Sequence, residues 1–214
     1  NMVLVTHLIP SELHGYQLIV DTTSKLVTVF KTLFCGYTDE REVQRKIYYG
    51  YIAGDAPAPD SRHALTSRME GKGFWWKDDK GNEMLVFHPE VIYSTFVELT
   101  NPRGGLTISA PSDYIRVDDR FFIYSRVESE YSGTFVLEII DVASVKKIGV
   151  RLGFDENDAV DYFIYNGVGE ITGQAATFSP LTDFTGDIKV ADNGFDIFAG
   201  ESNRPVYRPR KLHR

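Results

Sequence analysis

Alternation at period two is the feature that most restricts this chain. Between Glu42 and Ile52, Val43, Ile47, Tyr49 and Tyr51 alternate with Glu42, Gln44, Lys46 and Tyr48. Successive side chains of a strand point to opposite faces, so this pattern fits a half-buried strand. The same reading predicts strands over 14–22, 24–32, 73–77, 84–88, 91–100, 120–128, 133–141, 147–154 and 159–165. The connectors 129–132, 142–145 and 155–158 are short, and 78–82 (Asp-Asp-Lys-Gly-Asn) has hairpin-turn composition. Strands joined this way pair antiparallel, because a parallel crossover needs about a dozen residues or more. Ser61–Glu70 reads as a short helix with Ser61 as N-cap. The expected fold is therefore all-β: an antiparallel up-and-down β-barrel with one or two short helices. Closure removes exposed edges, and a small barrel can enclose one small ligand.

The 214 residues read as a single domain. An N-terminal arm covers 1–12, the barrel 13–174, and an irregular C-terminal wrap with a basic tail 175–214. Hydrophobic residues reach 43%, enough for a core, which excludes disorder. Cysteine occurs once, at Cys35, which excludes a disulfide scaffold and suggests a free thiol in a cytoplasmic setting. With 30 Asp+Glu against 23 Lys+Arg the net charge is −7, so nucleic acid is not an expected partner. Neither is a membrane, since no apolar run approaches the ~20 residues of a spanning helix. The tail holds Arg204, Arg208, Arg210, Lys211 and Arg214 and no acid after Asn203. It reads either as a solvated tail or as an arm for an acidic partner or second subunit. A homodimer is the expected assembly.

One strand carries candidate chemistry. On 120–128, one face holds Arg120, Phe122, Tyr124, Arg126 and Glu128, and the other Phe121, Ile123, Ser125 and Val127. Periodicity allows two orientations. In the first, the apolar face is core and the charged face meets water. In the second, Tyr124, Arg126 and Glu128 face the barrel interior. There the phenol donates, the guanidinium clamps a carboxylate, and Glu128 moves a proton. Supporting substrate-binding candidates are Tyr49, Tyr51, His63, Arg68, Trp76, Tyr114 and Phe122. His63 and Arg68 would act from a lid, and either Trp75 or Trp76 would line a pocket. The five histidines show no pair at metal-ligand spacing. Gly167-Val168-Gly169 lacks the third glycine and following helix of a dinucleotide loop. No metal or cofactor is expected.

The run from Arg120 to Gly153 has a strand ending in Glu128, then one ending in Ile140-Asp141, then one around Gly149. It resembles the MoaF family, named for molybdenum cofactor biosynthesis, and its C-terminal domain in particular. That family is similar in turn to the phenolic acid decarboxylases, which are lipocalin-like barrels. Their opening hairpin is echoed by Gly15-Tyr16-Gln17-Leu18-Ile19-Val20-Asp21, and their catalytic glutamate matches Glu128. Their first strand carries Tyr-x-Tyr where this chain has Leu18-Ile19-Val20. The resemblance covers roughly 13–33 and 113–174 and implies a lipocalin-like barrel. The expected function is a cofactor-free enzyme on a small aromatic or hydrophobic metabolite. Its chemistry would be acid–base, of lyase, hydratase or isomerase type. The alternative is a non-catalytic carrier or sensor of such a metabolite.

Overall fold

The structure is a computed structural model. It describes residues 1–12, 14–34, 43–54, 57–100, 106–128, 133–154, 157 and 159–174. Four strands form a first antiparallel sheet in chain order: β1 (Met2–Ile9), β2 (His14–Asp21), β3 (Leu26–Phe34) and β4 (Val43–Tyr51). A two-residue strand, β5 (Ala64–Leu65), pairs with β9. Eight strands then close on themselves. They are β6 (Lys72–Asp78), β7 (Glu83–His88), β8 (Tyr93–Glu98), β9 (Leu106–Arg116), β10 (Phe121–Glu128), β11 (Thr134–Asp141), β12 (Lys146–Phe154) and β13 (Val160–Gln174). Each pairs antiparallel with the next, and β13 pairs back to β6. The fold is thus an antiparallel up-and-down barrel of the lipocalin-like kind, with a second sheet laid on its outside.

Carboxylates anchor the turns. Asp21 accepts from the Thr23 amide at 2.9 Å and the Ser24 hydroxyl at 2.5 Å, and Lys25 follows at φ 64°. Asp141 repeats the device with the Ala143 amide at 3.1 Å, the Ser144 hydroxyl at 2.7 Å and Val145 at φ 49°. Between β6 and β7, Asp78 accepts from the Lys80 and Asn82 amides, and Gly81 takes the left-handed position at φ 88°. In each case a short acceptor satisfies amides that the strand ladder has left behind.

Two cores result. One lies inside the barrel and contains Phe74, Trp76, Val86, Phe96, Tyr114 and Tyr124. The other lies between the outer sheet and the barrel wall and joins Ile19, Phe30 and Phe34 to Ile123, Phe135 and Leu137. Two polar links cross the same layer: Arg45 on β4 to Asp113 on β9, and the Thr6 and Tyr162 hydroxyls at 2.6 Å. Both faces of β10 are therefore buried. The two orientations open to periodicity are resolved by a layer it could not show: Ile123 and Val127 meet the outer sheet, while Phe122, Tyr124 and Arg126 face the interior.

Three expectations change. The barrel starts at β6, so the hairpin at 14–34 belongs to the outer sheet and does not open the barrel. The arm expected over 1–12 contains β1, a full edge strand paired along β2. Ser61–Glu70 is not a helix: Ala64 and Leu65 pair with Arg116 and Ile115, and a turn follows. Its apolar stripe is too thin to bury a helical face, whereas the edge of β9 offers backbone partners. The only helical element among the described residues is a 3-10 turn at Pro10–Glu12. Cys35 and the C-terminal wrap and tail lie outside the described residues.

Candidate functional site

Cross-strand register sets what the interior contains. Tyr124 faces Tyr114, Glu138 faces Gly149, Gly149 faces Tyr165, and Gly169 faces Trp76. Directly paired residues share a face, so these side chains point inward together. The glycines make room. A Cβ on Gly149 would lie 2.6 Å from Cζ of Tyr165, so only glycine lets that ring lie across β12.

Toward the end where β6 turns into β7, the interior is charged and holds a cavity of about 370 Å³. Its lining includes Trp76, Arg126, Glu128, Glu138, Lys147 and Tyr165. The Nε of Arg126 donates to Oε1 of Glu128 at 2.7 Å, with side chains only 5% and 9% exposed. The Arg126 guanidinium also lies 4.4 Å from the centre of the Phe96 ring. Across the cavity, Oε1 of Glu138 accepts from Nζ of Lys147 at 2.6 Å and from the Tyr165 hydroxyl at 2.5 Å. Burial works to raise the Glu138 carboxyl, but Lys147 and Arg126 outweigh it and hold it below the usual value. Burial lowers Lys147, against the pull of Glu138, and raises the Tyr165 phenol. An ion pair this deep is costly unless each charge is well partnered. Three interior polar atoms here have no hydrogen-bond partner: Nη1 of Arg126, Oε2 of Glu138 and Nε1 of Trp76.

The opposite half of the interior is neutral. His88 and Tyr114 meet at 2.9 Å through Nδ1 and the phenol, and the Tyr114 hydroxyl donates to the Tyr93 carbonyl at 2.9 Å. That hydrogen is spent, so Nδ1 of His88 carries the proton that reaches the Tyr114 oxygen. Tyr124 bonds to Ser94 at 2.6 Å, and Ser94 to Ser112 at 2.8 Å. Tyr114 and Tyr124 stack with centroids 5.5 Å apart. Burial pushes the His88 imidazole down to about 3, with Lys147 and Arg126 adding to the effect and Glu138 opposing it. Burial also raises both tyrosine hydroxyls.

The candidates from the sequence divide accordingly. Glu128, Arg126 and Trp76 line the cavity. Tyr124, Tyr114 and Phe122 are interior but belong to the apolar and hydrogen-bonded packing of the other half. Tyr49 and Tyr51 lie on β4 of the outer sheet, 37% and 38% exposed, with the Arg62 guanidinium over Tyr51. They are outside the barrel because β4 is not a barrel strand. His63 is buried, but its Nδ1 meets the Thr28 hydroxyl of β3 at 2.8 Å, so it fastens its segment to the outer sheet rather than serving a lid. Arg68 is largely exposed and pairs with Asp119 in the turn before β10. Glu138, Lys147, Arg151 and Tyr165 were missed. A signal for Glu138 was present: it is the lone charge inside Thr134–Ile140, an otherwise apolar and β-branched run. Among the described residues no group of three or more His, Cys, Asp or Glu could hold a metal ion. Nor is any helix among them long and apolar enough to cross a membrane.

No protein-family model and no curated protein matches the chain. Among solved structures, one described as "Crystal Structure of a putative beta-lactamase from Burkholderia vietnamiensis" is similar at 15% identity and a TM-score of 0.43. The match covers 51% of this chain and 100% of that one.

Proposed function

We propose that the protein is a cofactor-free enzyme that moves a proton on a small molecule held in the charged half of the barrel, in a lyase, hydratase or isomerase type of reaction. The observation that carries this reading is the Arg126–Glu128 pair, buried in the cavity wall with Nη1 of Arg126 still lacking a partner. A guanidinium N–H aimed at a reacting oxygen stabilises the negative charge that develops when a neighbouring carbon loses a proton. Glu128, held by Arg126 through Oε1, is the proton carrier. Trp76, Met84 and Phe163 supply apolar wall for an aromatic or aliphatic body. The likeness of Arg120–Gly153 to the MoaF family and the decarboxylases supports the same choice of glutamate.

A second reading is a carrier or sensor without turnover. It is favoured by the pairing of each cation in the wall with a carboxylate: Arg126 with Glu128, Lys147 with Glu138, Arg151 with Asp161. Such an interior can hold a polar guest without reacting with it. Incubation with small carbonyl compounds in D2O, followed by NMR, separates the two. An enzyme washes deuterium into the carbon next to the carbonyl. Glu128→Gln then lowers that rate by about 10²–10⁴-fold while affinity stays within about threefold. Binding without exchange in the wild type supports the carrier; exchange that survives Glu128→Gln removes Glu128 from the mechanism.

A further inference from the structure

The charged half has a donor–acceptor pattern that constrains what can occupy it. Nη1 of Arg126 and Nε1 of Trp76 are donors without partners, and Oε2 of Glu138 is an acceptor without one. All three residues line the same cavity of about 370 Å³. Their exposures are 4%, 1% and 1%. A buried polar atom left unpaired costs free energy that a matching guest recovers. The complement of two donors and one acceptor is a head group that accepts at an oxygen and donates from an adjacent N–H or O–H.

Charge narrows the choice. In the lining each cation already faces a carboxylate, Arg126 with Glu128, Lys147 with Glu138 and Arg151 with Asp161, and Glu83 holds Lys77. Lys147 and Arg126 are committed to Glu138 and Glu128 at 2.6 and 2.7 Å. Burial does not protonate Glu138, since Lys147 and Arg126 hold its carboxyl below the usual value. A bound carboxylate would satisfy Arg126 and Trp76, yet it would set a second anion beside Oε2 of Glu138 with nothing to donate to it. Like charges in a water-poor site repel strongly.

We propose that the cavity takes a small neutral molecule whose polar head is a carbonyl with a neighbouring donor (a primary amide, a lactam or an enol–ketone) in preference to a carboxylate anion. The carbonyl oxygen receives Arg126 and Trp76, and the N–H or O–H reaches Glu138. This rests on the reading above that the charged half is the ligand site, and it names the ligand class for it. Cavity size agrees: about 300–1,000 Å³ is usual for small-molecule pockets, and this one suits a single ring with a short polar arm.

Matched pairs that differ only in the head provide the test: 3-phenylpropanamide against 3-phenylpropanoate, and benzamide against benzoate. Titration calorimetry near neutral pH, on the full chain, should give the amide at least about tenfold tighter in each pair. Trp76→Phe keeps an aromatic ring and removes a donor that either head would use, and should weaken the amide by about three- to tenfold. Circular dichroism confirms that this variant is folded. Carboxylates that bind as well as or better than the amides overturn the proposal, as does an amide affinity untouched by Trp76→Phe. The deuterium-exchange result is independent. Exchange lost in Glu128→Gln together with preferred carboxylates would sink the ligand class and leave the proton-transfer reading intact. Failure of every probe to bind at millimolar concentration overturns the ligand class, whereas only the absence of exchange removes the proton-transfer reading.

Discussion

The two halves of the barrel interior solve one problem in different ways. Both bury polar side chains among aromatic rings. The charged half uses formal ion pairs, Arg126–Glu128 and Lys147–Glu138, and retains atoms without partners. In the neutral half, the phenols of Tyr114 and Tyr124 and the hydroxyls of Ser94 and Ser112 bond to one another, to His88 and to a backbone carbonyl. These neutral hydrogen bonds carry little electrostatic risk, although Nε2 of His88 has no partner either. Ion pairs are expensive to bury and destabilising to break. The two halves thus stabilise the interior by different means, ion pairs in one and neutral hydrogen bonds in the other.

The sharpest way to break that division is Lys147→Met, which leaves the Glu138 carboxylate buried and nearly unpaired. An expected loss of about 3–5 kcal/mol follows from removing one member of a buried pair. The double variant Lys147→Met/Glu138→Gln should recover much of it, since Tyr165 can still donate to the amide oxygen. Urea unfolding measures both. A single-variant loss below about 1 kcal/mol, the range of solvated surface pairs, would show that water reaches this pair.

Acid separates the halves next. His88 is neutral in the fold, down to about 3, whereas a free imidazole titrates near about 6.5. Between these values the unfolded chain binds the extra proton. Stability is therefore full above about 6.5 and falls as pH drops toward 3, by at most about 1.4 kcal/mol per unit from this one group. Glu138 acts lower: its stabilisation is present above the ordinary carboxylate value and is lost as pH falls through its depressed folded value. His88→Phe should flatten the slope between pH about 6 and 4 and leave the carboxylate loss below it. An unchanged slope would assign the acid sensitivity to other groups.

Much of this architecture could be read from alternation, and the failures have physical causes. Ten of the strands followed from period two and short connectors. β9 was missed because Pro111 interrupts Leu106–Arg116 and proline donates no ladder bond; in the fold it sits opposite Tyr93, at the end of the pairing with β8. The direction of β10 could not be read, because a strand buried on both faces carries no solvent side to mark. The same outer sheet explains the misplacement of His63, Tyr49 and Tyr51: nothing local says that 14–51 packs outside a barrel formed by later strands. Arg126 and Glu128 were found because alternation put them on one face. Their counterparts Glu138, Lys147 and Tyr165 needed the register across three strands.

Gly149→Ala tests that register at intermediate size. Its methyl would sit 2.6 Å from the Tyr165 ring, so the ring must leave Glu138 or the strands must part. The expected cost is about 1–3 kcal/mol, typical of forcing one carbon into a packed interior. If the ring swings away, ultraviolet titration should bring the Tyr165 phenol down toward its ordinary value, from the raised one that burial and Glu138 impose. A variant as stable as the parent, with the phenol unmoved, would mean that β12 yields rather than the ring.

The smallest effect is the most discriminating. Tyr124 shares a face with Arg126 and Glu128, and alternation alone places all three in one site. The structure turns its hydroxyl to Ser94 at 2.6 Å, within the neutral half, and it does not line the cavity. Tyr124→Phe removes one buried hydroxyl and keeps the ring stacked on Tyr114. It should cost about 1 kcal/mol, the usual net value of a hydrogen bond, because Ser94 retains Ser112. Affinity for the preferred amide should not change, and neither should proton exchange. A loss of exchange in Tyr124→Phe at unchanged stability would extend the reacting site into the neutral half and merge the two regions. An unaltered rate would restrict it to the wall that Arg126 and Glu128 share with Glu138 and Lys147. Sequence position would then have grouped three neighbours that share a face but not a role.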